Sequence, residues 1–481
     1  MGWRVASRLL GVVNTVVLVR LLTPSDFGLV ALALSFSLAI DGVSYLGVPE
    51  ALVREPTLDR AMYDTGFTMG ALRGLMTTLV IAAAAWPAAR FFGDPRLVFI
   101  FLALALGLFA TTVENIGTVD FQRDMTFGKQ FQLQIVPRIA SIVVTLACAV
   151  VWRSYWALIA GMLTNRGLRT VLTYVIHPYR PRLTLRAWRR LIGFSFWSWA
   201  LSMVALLQAR ADTIILGGYL SPTAVGVYSV GGEIGGLASS ELMGPMSGAL
   251  FAGFAAARRS GDGLAWAYLR AISLVVLLTL PASAGMAVLA GPMMHLMFGP
   301  RWDAAVPVAQ MFAFIGMFQV GGLVSEALLT VQGQLSLNFR INLAFSILKI
   351  IVLLVLVPTF GLMGAASGVA AIGLLQDTVY LVVTFRHAGL RLRDLALNLW
   401  RSVLAASVMA AVLLGTGLHI EPLGDGGVIW SGLHLAMAVL IGALVYGATL
   451  GLAWLAAGRP RGAESYVLEL AGQAIRHWLG R

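Results

Sequence analysis

Apolar stretches of about twenty residues follow one another through this chain, and they constrain its fold more than any other feature. Hydrocarbon offers a peptide group no hydrogen-bond partner, so a crossing segment has to close its own backbone bonds as an α-helix. The stretches lie at roughly 5–22, 29–51, 66–91, 96–115, 133–152, 155–176, 192–211, 224–256, 270–297, 304–330, 341–358, 362–385, 399–417 and 433–456. The reading is an all-α polytopic membrane protein of about 14 transmembrane helices. Only 12% of the 481 residues are charged, against about a quarter in soluble proteins, and no stretch is the size of a soluble domain. Cys148, the sole cysteine, sits in an apolar run; this excludes an intrachain disulfide and speaks against a thiol or zinc site. The first stretch lacks a small-residue cleavage site and is read as a retained helix.

Loop charges test the count. With the N-terminus in the cytoplasm, 25 of the 34 basic residues fall on cytoplasmic ends and loops, including the run from Arg166 to Arg190. The outer loops hold five: Arg20, Arg90, Arg96, Arg153 and Arg301. A wrong count would scramble this alternation, so the positive-inside rule predicts fourteen spans with both termini cytoplasmic. The surplus of +12 is therefore read as membrane topology, not as a nucleic-acid surface.

The sequence Leu22-Thr23-Pro24-Ser25-Asp26-Phe27-Gly28-Leu29 recurs as Leu220-Ser221-Pro222-Thr223-Ala224-Val225-Gly226-Val227. Proline pre-sets φ at a turn, and glycine allows either an unusual φ or a close approach. Further on, Gln122 to Phe127 matches Gln332 to Leu337, Arg138 matches Lys349, and Ala160-Gly161 matches Ser367-Gly368. Spans 1–6 thus repeat as spans 7–12 in a parallel sense, giving two pseudo-symmetric six-helix lobes plus two C-terminal helices. The expected domains are 1–179, 180–395, 396–457 and a tail at 458–481. The segment Pro181 to Trp199 and the tail from Glu464 to Arg481 both read as amphipathic interfacial helices.

Three stretches carry a family resemblance. They are Val19 to Gly28, Ala211 to Gly217 followed by Gly226-Val227-Tyr228, and Gly299 to Pro307 with Trp302. The chain resembles the polysaccharide (oligosaccharide) flippase branch of the multidrug/oligosaccharidyl-lipid/polysaccharide exporter superfamily. The resemblance covers spans 1–12 well and the last two weakly. It implies a two-lobe bundle with inward- and outward-open states. It also implies an oligosaccharide on a polyprenyl pyrophosphate as cargo, moved from the inner to the outer leaflet of a bacterial inner membrane.

Such cargo has an anionic pyrophosphate, a polar glycan and an apolar tail. A charge at the bilayer centre costs about 2.5–3.5 kcal/mol on insertion scales, so every intramembrane ion is a candidate. The substrate-binding candidates are Arg73, Arg138, Lys349 and Arg210. The first three lie about two turns inside the cytoplasmic ends of their helices, where they either receive the pyrophosphate or snorkel to headgroups. They are expected to face the space between the lobes. Arg210 with Asp212, near the outer surface, reads first as a structural pair. Glu233, Asp41 and Asp377 are the candidates for coupling to H+ or Na+. Glu233 stands among Gly231, Gly232, Gly235 and Gly236, a small-residue face that lets another helix come close, and is expected to lie against that helix. Glu50 and Glu326 read as interfacial, and Asn115, Gln208, Gln319, Gln376, Tyr45 and Trp199 as groups able to touch sugar.

There is no P-loop, and the six histidines are scattered without metal-ligand spacing, so no cofactor or metal is expected. His177, His387, His419 and His477 read as solvated. Three other functions compete. A lipid II flippase fits the cationic cavity equally well. A drug or cation antiporter of the same superfamily would need acids facing its cargo. A membrane glycosyltransferase or polymerase would carry a large outer loop with catalytic groups, whereas the longest one, about 418–432, holds only Glu421 and Asp425. The expected partners are the lipid-linked oligosaccharide, membrane lipids, a coupling H+ or Na+, and polysaccharide polymerase and glycosyltransferases.

Overall fold

A computed structural model describes residues 11, 14–45, 47–55, 58–124, 126–189, 195–260, 263–418, 427–460 and 462–466. Among these residues there is no β-strand. Residues 14–21 are helical. The helices that follow are α1 (Pro24–Val43), α2 (Val48–Arg54), α3 (Arg60–Phe91), α4 (Arg96–Thr112), α5 (Asp120–Arg123), α6 (Phe127–Trp152) and α7 (Trp156–Ile176). Next come α8 (Ser195–Tyr219), α9 (Pro222–Ser260), α10 (Leu264–Phe298), α11 (Val306–Phe318) and α12 (Val320–Val331). The last are α13 (Leu335–Ala388), α14 (Leu392–Gly415) and α15 (Gly427–Ala456). Among the described residues seven helices are long and apolar enough to cross a membrane, or up to nine if each bent pair is one span. The chain is thus an all-α, multi-pass membrane protein.

α13 is really two helices. Gly361 breaks it with φ 59° and ψ −137°, three residues after Pro358. The halves fold back on each other: a Cβ on Gly364 would stand 2.2 Å from the Leu356 carbonyl oxygen. These halves cover the predicted stretches 341–358 and 362–385.

The chain divides into two compact units, Met1–Ser229 and Val230–Arg481. The repeated turn explains part of the first. Thr23 caps α1 as half of a capping box with Asp26, Pro24 takes the first turn, and the Asp26 carboxylate also accepts from Tyr155 N at 3.1 Å. Ser221 repeats the cap, accepting from Ala224 N at 3.4 Å, and Pro222 repeats the proline. The glycines serve close approach. A Cβ on Gly28 would lie 1.7 Å from the Pro222 carbonyl oxygen, and one on Gly226 would lie 1.8 Å from that of Pro24. Exchanging the two copies exchanges these contacts, so the repeats meet backbone to backbone about a local two-fold. Gly161 and Gly368, matched in sequence, each face the preceding helix, at Thr145 and at Val352 to Leu356.

The segment after α7 departs from expectation. Residues 178–185 are not helical, 186–187 form a turn, 188–189 are helical, and 190–194 lie outside the described residues. The backbone is bound instead by a polar ladder on α3. Arg182 N donates to Asp64 Oδ1 at 2.8 Å, Thr184 N to Thr68 Oγ1 at 2.9 Å, and Ala187 N to Thr65 Oγ1 at 3.2 Å. The Tyr179 hydroxyl also donates to Asp64; burial and that carboxylate raise the tyrosine's pKa. A ready set of side-chain acceptors has outcompeted the helical ladder. His177, expected in solvent, packs edge-on against Phe121 and lies 3.4 Å from Asp120. The amphipathic tail beyond 466 lies outside the described residues.

In the second unit α10 is central. Val275 and Val276 pack with Val320, Val324, Leu328 and Phe385. On another face Ala284 and Leu289 pack with Met409 and Leu413 of α14 and with Ala438 and Tyr446 of α15. The Tyr446 hydroxyl donates to the Leu277 carbonyl at 2.9 Å.

Gly28→Ala and Gly226→Ala should each destabilise the protein by about 2 kcal/mol or more, since the added methyl overlaps a backbone oxygen and the helices must separate. Gly236→Ala, where a Cβ meets nothing within 4 Å, should be neutral or stabilising. Thermal unfolding of the detergent-solubilised variants checks this; equal midpoints for all three would contradict the close approach.

Candidate functional site

Among the described residues of the first unit, two cavities differ in chemistry. One, about 290 Å³, is lined by Gly11 and Asn14, by Arg138 and Ser141 of α6, and by Asn165 and Arg166 of α7. Gly11 makes room for Arg138, whose Nη2 lies 2.6 Å from where a Cβ would stand. Arg166 is ten residues from either end of α7, about 15 Å of helix each way. Its Nη1 donates to the Leu104 carbonyl at 3.4 Å. Asn14 Oδ1 is buried without a partner. The lining contains no carboxylate. Among the described residues neither arginine has an ion-pair partner, although the charge of Asp41 reaches Arg166. Two guanidiniums flanked by side-chain amides suit a phosphate, which takes paired N–H donors on two edges.

The other cavity, about 220 Å³, includes Tyr45, Arg73, Glu114, Gln122 and Arg169. Its charges are already answered. Arg73 Nη1 reaches Asp41 Oδ1 at 2.9 Å and Ser44 Oγ at 3.3 Å, and its guanidinium lies 5.6 Å from the Tyr45 ring centre. Arg169 Nε is 3.2 Å from Glu114 Oε1, and Tyr45 donates to Glu50 at 2.6 Å. Balanced donors and acceptors beside an aromatic ring suit neutral hydroxyls better than a bare phosphate.

Asp41 is therefore the partner of Arg73 and not a lone acid. Asn115, one of the residues able to touch sugar, is occupied by the fold. Its amide donates to the Tyr179 carbonyl at 2.7 Å, and its oxygen accepts from Gly117 N at 3.0 Å. Arg210 is half-buried in α8, while Asp212 accepts from the Tyr228 hydroxyl at 3.0 Å.

In the second unit the glycine face is real but Glu233 is not on it. Gly231 and Gly235 meet the backbone of Ala305 and Ala309, at 2.8 and 2.2 Å from their would-be Cβ atoms. Glu233 is two positions from each, about 200° around the helix, and is exposed. The expected close helix neighbour thus packs on the flanking glycines and leaves the carboxylate outside.

Asp377 sits differently. It lies on the second half of α13, and a Cβ on Gly322 of α12 would come 2.1 Å from its Oδ1. Its Oδ2 is buried without a partner, as are Tyr380 Oη and Thr384 Oγ1 on the same helix and Asn338 Oδ1 on the first half of α13. Glu326, expected at the interface, connects to this group. It accepts from Asn342 at 3.4 Å, Asn342 accepts from Gln376 at 2.8 Å, and Asn338 donates to the Glu326 carbonyl at 3.1 Å. Unused oxygens on the two halves of α13 are a demand for a proton or a cation. Lys349 is half-buried on the first half of α13.

Arg166 is the residue that sequence reasoning missed. The loop-charge count groups it with the basic run that follows, although the predicted stretch 155–176 already places it in mid-helix. Asn14 and Asn342 carried no signal beyond being amides in apolar runs.

The family described as polysaccharide biosynthesis protein matches residues 17–307. The chain belongs to this family. It is 22% identical over 396 residues to the lipopolysaccharide biosynthesis protein WzxC of Escherichia coli K12, covering 81% of this chain and 80% of that protein. It is 23% identical over 318 residues to the succinoglycan biosynthesis transport protein ExoT of Rhizobium meliloti 1021, covering 65% and 64%. In fold it is similar to the lipid II flippase MurJ in an inward closed conformation, with a TM-score of 0.74 at 14% identity over 95% of this chain and 99% of that one. The chain therefore shares its fold with that protein.

Proposed function

We propose that the chain is a flippase. It carries a polyprenyl-pyrophosphate-linked oligosaccharide from the inner to the outer leaflet of the bacterial inner membrane, for surface polysaccharide or lipopolysaccharide synthesis, by alternating access. The observation that carries this reading is the acid-free Arg138–Arg166 cavity in a membrane protein of the polysaccharide biosynthesis family. The pyrophosphate binds Arg138 and Arg166, and Lys349 and Arg210 are further stations for the anion; Arg73, held by Asp41, lines the glycan's cavity. The glycan takes the balanced cavity beside Tyr45. Glycosyltransferases supply the cargo and a polymerase consumes it; the chain itself makes and breaks no bond. Both termini lie in the cytoplasm, as the loop charges require. A drug or cation antiporter is disfavoured, because a cavity with two arginines and no carboxylate repels an organic cation. A lipid II flippase shares the phosphate chemistry, and its likeness to this chain at 14% identity speaks for fold alone.

Coupling to H+ or Na+ runs through Asp377, whose Oδ2 is buried without a partner, as is the Tyr380 hydroxyl three residues on. Asp41, bound to Arg73, and Glu233, exposed on α9, are the remaining acids for that role.

In a strain lacking the chromosomal copy, Arg138→Ala and Arg166→Leu should each lower surface glycan about tenfold or more, the loss of one charged hydrogen bond to phosphate, at normal membrane levels of protein. Normal surface glycan in both variants would remove this cavity from the transport path.

Asp377→Asn should keep its fold and basal transport in proteoliposomes but lose the acceleration given by an imposed proton or sodium gradient. Full acceleration in that variant would take Asp377 out of the coupling step and pass the role to Glu233 or Asp41.

A further inference from the structure

A further cavity, larger than either of those in the first unit, takes no part in the reading above. It is an open groove of about 610 Å³ in the second unit, walled by Leu250, Gly253 and Phe254 of α9 and by Ala267, Ala271 and Leu274 of α10. This lining is apolar. At one end stands Arg270, whose guanidinium carbon lies 5.1 Å from the Trp266 ring centre and 4.5 Å from that of Tyr466. Arg270 is exposed, and among the described residues it has no carboxylate partner. Past it opens a second recess of about 240 Å³, lined by Ser273, Asn398, Ser465 and Gly462, which shares Trp266, Arg270 and Tyr466 with the groove. An apolar trough and a polar recess therefore meet at Arg270, a cation with no carboxylate partner among the described residues.

Tyr466 is held there by design of the chain around it. Glu464 accepts from Arg401 Nε at 2.6 Å and from Nη2 at 3.2 Å, and both side chains are buried. A buried ion pair contributes little net stability against an apolar substitute, and its best-attested use is to fix register. Ser465 Oγ and Trp454 Nε1 both donate to the Pro460 carbonyl, at 3.0 and 3.2 Å. The register so fixed lays Tyr466 over Arg270 and closes the recess.

We propose that the groove and recess bind one anionic phospholipid of the surrounding bilayer. Its phosphodiester pairs with Arg270, its head group occupies the recess against Asn398 and Ser465, and an acyl chain lies along Leu250 to Leu274. Charge chooses this occupant. A single guanidinium matches the one charge of a phosphodiester, whereas a pyrophosphate calls for the two found in the Arg138 cavity. Arg270 is six residues into α10, about 9 Å from its start, a depth that suits a head group on a helix longer than the hydrocarbon requires.

Native mass spectrometry and titration in lipid nanodiscs test this with phosphatidylglycerol, phosphatidylcholine and undecaprenyl pyrophosphate as probes. The wild-type chain should retain one phosphatidylglycerol and discriminate against phosphatidylcholine. Arg270→Gln should weaken phosphatidylglycerol roughly tenfold, as one charged hydrogen bond is lost. Gly253→Leu should do the same with Arg270 intact, because a side chain there meets open groove and no neighbour within 4 Å. Equal phosphatidylglycerol binding in the folded variants would overturn the proposal. So would equal retention of phosphatidylcholine, or displacement of phosphatidylglycerol by undecaprenyl pyrophosphate at lower concentration. None of these readouts depends on transport, so failure here leaves the flippase reading standing, and the reverse also holds.

Discussion

A charge inside hydrocarbon has to be answered, and the placement of ions in this protein follows from that. Each ion costs a few kcal/mol unless something meets it. Arg73 is met by Asp41, Arg169 by Glu114 and Arg401 by Glu464. Arg138 and Arg166 share a cavity that has no acid in its lining. The first three arginines are satisfied by the fold itself. The last two keep an unspent attraction for an anion, and this separates architecture from function more sharply than depth in the membrane does. The same logic isolates Asp377, whose Oδ2 is buried without a partner.

Satisfying those ions requires helices at close quarters, and glycine provides the approach. The two copies of the repeated turn touch through Gly28 and Gly226, each against the other's proline carbonyl. Gly161, Gly231, Gly235 and Gly364 bring other helices to similar range. Between apolar helices in lipid there is little hydrophobic drive, so packing of backbone on backbone carries the association. A repeat read as sequence thus becomes a contact, and the contact explains why the repeat retains proline and glycine four residues apart.

The fold was largely legible because apolar length and loop charge are one-dimensional signals. Even the break at Gly361 could be placed between two predicted stretches. The linker after α7 was not legible. Leu185, Trp188 and the arginines give an amphipathic pattern, but Asp64, Thr65 and Thr68, more than a hundred residues earlier, claim the backbone N–H groups that a helix would have used. Single ions were legible as candidates and illegible as pairs. Nothing local in the sequence joins Asp41 to Arg73, whereas the two-residue spacing of Glu233 from Gly231 and Gly235 already sets it on another side of the helix. Arg166 was the reverse: its position in mid-helix was readable, and the basic run that follows it concealed it.

The central claim is that this chain moves a polyprenyl-pyrophosphate-linked oligosaccharide across a bilayer. The direct measurement is accessibility of the glycan in proteoliposomes. The lipid-linked oligosaccharide is reconstituted in both leaflets, and a membrane-impermeant glycosidase is added outside. With the wild-type chain present, the sugar of the inner leaflet should become cleavable over minutes, while protein-free vesicles should protect about half of it indefinitely, the share set by two equal leaflets with no route for the polar head through hydrocarbon. Protection unchanged by the protein would contradict the account.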